Sequence, residues 1–185
     1  MTAPAGYVLA GGQSRRMGRP KAFIEIGGLP MALRVARAMV DAGVQPVHLV
    51  GKDPSLASLG LPLVPDGTPD QHPLVGLVRA LEHAAGIGRV RALVAPCDLP
   101  LLGPEHLVAL LRADRPVVAR TADRRHPLLA VLETAMLPDL QEALASRLSV
   151  RAALAALPGV ELPADALLNV NHPHEIPDLP DAPVG

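Results

Sequence analysis

Aromatic side chains are almost missing from this chain: its 185 residues include one Phe, one Tyr and no Trp. Proteins that bind single-stranded nucleic acid stack its bases on aromatic rings, so that class is excluded and Leu, Val and Ala must build the core. The lone cysteine, Cys97, permits no internal disulfide and no thiolate metal cage, in keeping with a reducing compartment. Its expected role is that of a small buried hydrophobe. No apolar run reaches the ~18 residues needed to span a bilayer, and residues 1–6 lack the charged-then-apolar order of a secretory leader. A cytoplasmic protein with no membrane partner is expected. An excess of either charge is lacking too: a formal net charge of -1 gives no broadly basic surface, which argues against nucleic acid as a partner.

What is present is apolar and regularly punctuated. With 49% hydrophobic residues the chain is too apolar for disorder, and its length suits one core. Short apolar runs predict strands at 6–10, 46–50, 90–95, 116–120 and 128–132, with shorter ones near 61–64 and 168–170. Their apolar residues run nearly unbroken, as in strands buried on both faces. Helical periodicity marks 31–42, 74–85, 105–113, 135–145 and 150–156. Pro30, after Gly27 and Gly28, and Pro104, before Glu105, are expected in the first turns of their helices. Alternating strands and helices predict an α/β protein, a single-domain three-layer α/β/α sandwich around a mostly parallel sheet. That domain is expected over 1–176. Prolines at 177, 180 and 183 leave no room for a helix, so 177–185 is expected to be an extended or disordered tail.

One stretch concentrates charge. "LAGGQSRRMGRPKAF", residues 9–23, passes from an apolar strand into Gly11 and Gly12, then places Arg15, Arg16, Arg19 and Lys21 within seven residues. In parallel sheets ligands bind at the carboxyl ends of strands, and the loop after the first strand is a usual phosphate site. Paired glycines let the backbone approach a ligand and turn successive N–H groups into an anion nest, which the adjacent cations complete. The stretch is neither G-x-x-x-x-G-K-[ST] nor G-x-G-x-x-G.

Asp98, in "LVAPCDLP", follows the run at 90–95 and so stands at the carboxyl edge of a central strand, where a carboxylate can hold a divalent cation or cap a helix. Asp66, in "VPDGTPDQHPLVG", suits a turn as well as a site, and Asp70 suits a turn. Asn169 and Asn171 alternate about Val170, so in an extended segment both amides face one side; an ordinary turn before Pro173 is the alternative. His126, His172 and His174 lack a helical i, i+4 pairing with an acid. With His48 and His83, they are expected to be solvated or hydrogen-bonded rather than metal ligands.

"LAGGQSRRMGRPK" resembles the signature L-A-[GA]-G-x-S-x-R-M-G-x-x-K of nucleotidyltransferases with a Rossmann-like fold, in particular the molybdenum cofactor guanylyltransferases. "PCDLP", the P-L-x-G element at 73–76, "RRHPLLAVL" and "LNVNHPHE" extend the resemblance from Gly6 to about Glu175. The resemblance implies a Rossmann-like sheet and the transfer of GMP from GTP to the terminal phosphate of molybdopterin carrying molybdenum, with release of pyrophosphate. It implies that Leu9, Ala10, Gly11 and Gly12 contact base and phosphates and that Arg16 and Lys21 hold the triphosphate. Asp66 would contact the guanine nucleotide, Asp98 would bind Mg²⁺, and Asn169 and Asn171 would stand near acceptor or metal. Arg16, Lys21 and Asp98 are then the catalytic set. The implied partners are GTP, the molybdenum cofactor, and chaperones that deliver it or belong to the receiving molybdoenzymes.

Departures from the family pattern bear on the choice of base. Gly51 stands where the family often has Asn, so that a base or ribose contact is either missing or supplied by Lys52; His72 replaces a usual glycine, and 66–76 is one residue short. Prolines also displace the helix that usually follows the asparagine motif. The rival readings are cytidylyl transfer to the same cofactor, transfer to a sugar phosphate, or a non-catalytic cofactor-binding chaperone. The "LAGG" form favours the guanylyl branch, and retention of Lys21 with Asp98 speaks for catalysis.

Overall fold

The apolar runs are strands whose side chains alternate between two helical layers. The computed structural model describes residues 3–11, 20–68, 70 and 72–170. After β1 (Ala5–Leu9) come a 3-10 turn (Lys21–Phe23), a hairpin of β2 (Glu25–Ile26) and β3 (Leu29–Pro30), α1 (Met31–Asp41) and β4 (Val47–Gly51). A 3-10 segment (Pro54–Leu59) leads to β5 (Leu63–Pro65), α2 (Pro73–Gly86), β6 (Arg91–Pro96), α3 (Pro104–Leu111) and β7 (Val117–Arg120). The described chain closes with β8 (Arg125–Glu133), α4 (Leu137–Ala145), α5 (Val150–Ala153) and β9 (Gly159–Glu161).

Seven of these strands form one sheet in the order β5-β4-β1-β6-β8-β7-β9. The run β5-β4-β1-β6 is parallel and β9 is parallel to β7, whereas β8 is antiparallel to both β6 and β7. Among the described strands of this sheet, β8 alone is reversed. Its first residues therefore lie at the edge where β6 ends, and Arg125 and His126 join the carboxyl side of the crevice.

Adjacent residues divide between the layers. Val8, Leu49, Leu93 and Val131 pack with Val35 and Met39 of α1 and Leu107 and Leu110 of α3. Tyr7, Val50, Val94 and Ala130 pack with Leu74, Leu77 and Leu81 of α2, Leu140 of α4 and Val150 of α5. This is the three-layer, mostly parallel Rossmann-like sandwich that the alternation of elements predicts. Burial of such Leu side chains contributes about 1.5–3 kcal/mol each. Among the described residues no helix is long and apolar enough to cross a membrane.

Three expectations change. Residues 168–170 join no strand: they follow a 3-10 turn (Asp165–Leu167), and the Val170 N–H donates to the Asp98 carbonyl at 3.1 Å. Pro30 is not in the first turn of α1 but precedes it, because Gly27 and Gly28, with φ of 56° and 72°, close the two-residue turn of a hairpin that ends at Pro30. The helix expected to Ala156 stops at Ala153. Pro104 does open α3, behind Gly103. The domain boundary at 176 and the tail lie outside the described residues.

Candidate active site

The carboxyl ends of β5, β4, β1 and β6 and the start of β8 enclose a cavity of about 1310 Å³. Single small-ligand sites usually occupy roughly 300–1,000 Å³, so there is room for two substrates side by side. By strand order, Asp66 and Lys52 line it beyond β5 and β4, Gly11 and Asp98 beyond β1 and β6 with Lys21 against Asp98, and Arg124 and His126 at the start of β8; His72 and Asn169 complete the lining. The chain has only two lysines, Lys21 and Lys52. Both are in this wall.

At the centre, Lys21 Nζ lies 3.0 Å from Asp98 Oδ2, with the side chains 22% and 17% exposed. Backbone bonds fix the carboxylate: the Cys97 N–H donates to the Leu9 carbonyl at 3.1 Å, and the Asp98 carbonyl accepts from Val170. Arg34 of α1 donates to the carbonyls of Pro100 at 3.3 Å and Ile26 at 3.1 Å, tying the loop after β6 to the hairpin. Burial, reinforced by the Asp98 charge, pushes the Cys97 thiol up to about 12. It stays protonated and is no nucleophile, as the reading of a buried hydrophobe requires.

Asp98 Oδ1 is buried without a hydrogen-bond partner among the described residues. A carboxylate oxygen left so is costly unless a ligand takes it. No three His, Cys, Asp or Glu residues come together to hold a metal among the described residues. That donor set suits Mg²⁺, which is commonly held by one or two carboxylates together with substrate phosphates.

Toward β5, Asp66 is 8% exposed and Lys52 Nζ lies 4.0 Å from its Oδ2. Lys52 also donates to the carbonyl of Asp70. Asp70 makes the expected turn, its Oδ1 accepting from the His72 N–H at 3.2 Å, and also pairs with Arg147 at 3.0 Å through Oδ2. His72 is no idle replacement for glycine. Its Nδ1 accepts from the Leu74 N–H at 3.2 Å and caps α2. Gly51 is required by packing, since a Cβ there would stand 2.6 Å from Cδ1 of fully buried Leu56.

Toward β8, Arg125 donates to the Leu157 carbonyl at 2.6 Å and fixes the turn after α5. His126 is held below the usual imidazole range by burial first and by the Arg124 charge second. Arg125, His126 and Asn169 all line the cavity.

Of the residues singled out in the sequence, Leu9, Ala10, Gly11, Lys21, Asp66, Asp98 and Asn169 line this single cavity. Gly12, Arg15, Arg16, Arg19, Asn171, His172 and His174 lie outside the described residues. Sequence reasoning named Asp66, Lys52 and Asp70 one by one but missed that they meet, with Arg147, in one chain of contacts. It also missed a cluster behind the sheet. His48 is buried rather than solvated and stacks on Tyr7 with ring centroids 5.4 Å apart, while His83 Nδ1 bonds the Tyr7 hydroxyl at 3.0 Å.

Residues 6–161 match the MobA-like NTP transferase domain. The chain is 33% identical over 177 residues to the molybdenum cofactor guanylyltransferase of Rhodobacter capsulatus, covering 93% of this chain and 92% of that protein. To that of Serratia proteamaculans it is 35% identical over 147 residues, covering 76% and 73%. Among solved structures, a protein of Aquifex aeolicus superposes with a TM-score of 0.75 at 28% identity, covering 92% and 94% of the two chains. Molybdopterin-guanine dinucleotide biosynthesis protein A of Archaeoglobus fulgidus has the same fold, with a TM-score of 0.73 at 21% identity over 93% and 94%. The family match spans the mostly parallel sheet together with Asp66 and Asp98 of the cavity, and the chain belongs to the MobA-like NTP transferase domain family, as a nucleotidyltransferase.

Proposed function

We propose that this protein transfers GMP from GTP to the terminal phosphate of molybdopterin-bound molybdenum cofactor. The observation that carries the reading is the Lys21–Asp98 pair at the middle of a cavity with two differently furnished ends. The relatives' shared activity supports the choice of substrates.

The acceptor phosphate attacks the α-phosphorus in line. A new P–O bond forms, the bond to the β-phosphate oxygen breaks, and pyrophosphate leaves with the electron pair. The nucleophile is already an anion, so no general base is demanded. Catalysis then consists of positioning and charge stabilisation. The backbone from Gly11, and Gly12 beyond it, would cradle phosphate, while Lys21 and Arg16 would hold the departing pyrophosphate. Leu9, Ala10 and Asp66 would contact the nucleotide, with Asn169 and Asn171 toward the acceptor. Asp98 would hold Mg²⁺ through Oδ1, and the ion would supply neutralisation of the triphosphate charge.

The test is pyrophosphate release with Mg²⁺ and each of GTP, CTP, ATP and UTP, with and without the molybdenum cofactor. Cofactor-dependent release from GTP alone is expected. Release from CTP instead would move the protein to cytidylyl transfer, and none from a folded sample would overturn the reading.

A further inference from the structure

Lys52 stands one residue beyond β4, at the opposite end of the cavity wall from the β8 cations. Its ammonium is anchored on two sides, by the Asp70 carbonyl and by Asp66 Oδ2 at 4.0 Å. Asp70 is itself fixed by Arg147 at 3.0 Å and by the His72 N–H at 3.2 Å. An ammonium has three donors. One is spent on Asp70, and at 4.0 Å Asp66 is a neighbouring charge rather than a hydrogen-bond partner, which leaves donors for a ligand. Asp66, 8% exposed, can only accept when ionised, and its own N–H is held by the Gly51 carbonyl at 3.3 Å. The wall thus offers a fixed donor beside a fixed double acceptor. Leu9, Val75 and Gly76 line the same cavity with apolar surface suited to a flat ring.

We propose that Lys52 is a specificity-determining residue that donates to the 6-oxo group of a guanine base while Asp66 accepts from N1–H and the 2-amino group; this rests on the guanylyl reading above. Guanine presents one acceptor followed by two donors along that edge. Adenine and cytosine turn an amino group toward the ammonium, where two donors face each other. Uracil keeps an oxo and an N–H but sets its second oxo against the carboxylate. A site built around such bonds rejects an analogue because its own polar groups are left unpaired. Gly51, also in the wall, has no side chain with which to make such a bond. The reading of the base passes to the next residue.

The experiment measures dissociation constants of the full chain with Mg²⁺ at pH 7 for GTP, 6-thio-GTP, ITP and ATP, in the wild type, K52M, K52R and D66N. Thiocarbonyl sulfur accepts poorly, so the wild type should prefer GTP to 6-thio-GTP by about tenfold, the worth of one charge-assisted bond. K52M should bring that ratio to within about twofold, lose about tenfold of the GTP-over-ATP preference, and keep the GTP-over-ITP preference that reads Asp66. K52R should retain most of the 6-oxo preference, and D66N should lose the ITP discrimination. If K52M weakens all four nucleotides equally, Lys52 only supports the wall and the inference falls, whatever becomes of the guanylyl reading. A wild type that does not prefer GTP overturns both. Thermal melting of K52M and K52R shows that each variant is folded.

Discussion

Lys21 and Asp98 are 77 positions apart in the chain and 3.0 Å apart in the cavity. The pair couples the 3-10 turn that begins at Lys21 to the segment after β6, and on the proposed reading a triphosphate and a cation would meet there. Replacing Asp98 by Ala should lower kcat by roughly 10²–10³-fold, the range seen when a preorganised electrostatic contact is removed. Stability should change little, because partly solvated ion pairs contribute about 0–1 kcal/mol. Pyrophosphate release and a thermal melt on the same sample check both halves. Full activity in D98A would remove Asp98 from the cation site.

Lys21→Met separates phosphate binding from base binding. On the proposed reading a triphosphate would place its charge against Lys21 and the glycine backbone, whereas a monophosphate would carry much less of it there. K21M is expected to weaken GTP by at least about tenfold, as for loss of one charge-assisted contact, and to leave GMP within about twofold. Calorimetric titration of both nucleotides reads the difference; equal weakening would mean that the lysine shapes the pocket as a whole.

The parallel sheet was legible because β1, β4 and β6 are buried on both faces and read as unbroken apolar runs. Two- and three-residue strands such as β2, β3 and β9 are too short to show a period. The strand expected at 168–170 failed because Val170 spends its N–H on Asp98 instead of a ladder. Gly11, Lys21 and Asp98 were legible as an ordered motif after strands. Lys52 was legible only as a candidate contact and Asp70 only as a turn; that Asp70 also meets Arg147 was not, since Arg147 stands 77 residues beyond it, in the left-handed region at φ 54°. No local pattern announces a contact of that span.

Gly51 gives a prediction about packing. Alanine there brings its Cβ 2.6 Å from Leu56 Cδ1, and fully buried Leu56 must shift among packed neighbours to admit it. Gly51→Ala should cost about 1–3 kcal/mol, as overpacking does. Shortening the obstacle with Leu56→Ala should recover part of that loss in the double variant, a non-additivity expected of residues in contact. Urea unfolding of the four proteins in the cycle measures it; strict additivity would show that the chain accommodates the methyl elsewhere.

The Tyr7–His48–His83 cluster sets a pH dependence. The rings of His48 and His83 are 4.4 Å apart, and both imidazoles are held below their usual range by burial, His48 also by the charge His83 would carry. Burial raises Tyr7 to about 12, so its hydroxyl remains a neutral partner throughout. The native state keeps both histidines neutral, while the unfolded chain takes up protons near pH 6.5. As pH falls below about 6.5 the unfolded state binds more protons than the native one, and stability declines until the depressed native values are reached. Each such proton contributes at most about 1.4 kcal/mol per pH unit. His126, also depressed, adds to the same slope. Asp53 and Asp123 are lowered as well, but a depressed carboxylate acts below its unfolded value of about 4, outside the window. Urea unfolding between pH 5 and 7.5 should therefore show stability rising with pH, and His48→Phe, which keeps a ring against Tyr7, should flatten the rise without abolishing it. An unchanged slope in that variant would place the titration outside the cluster.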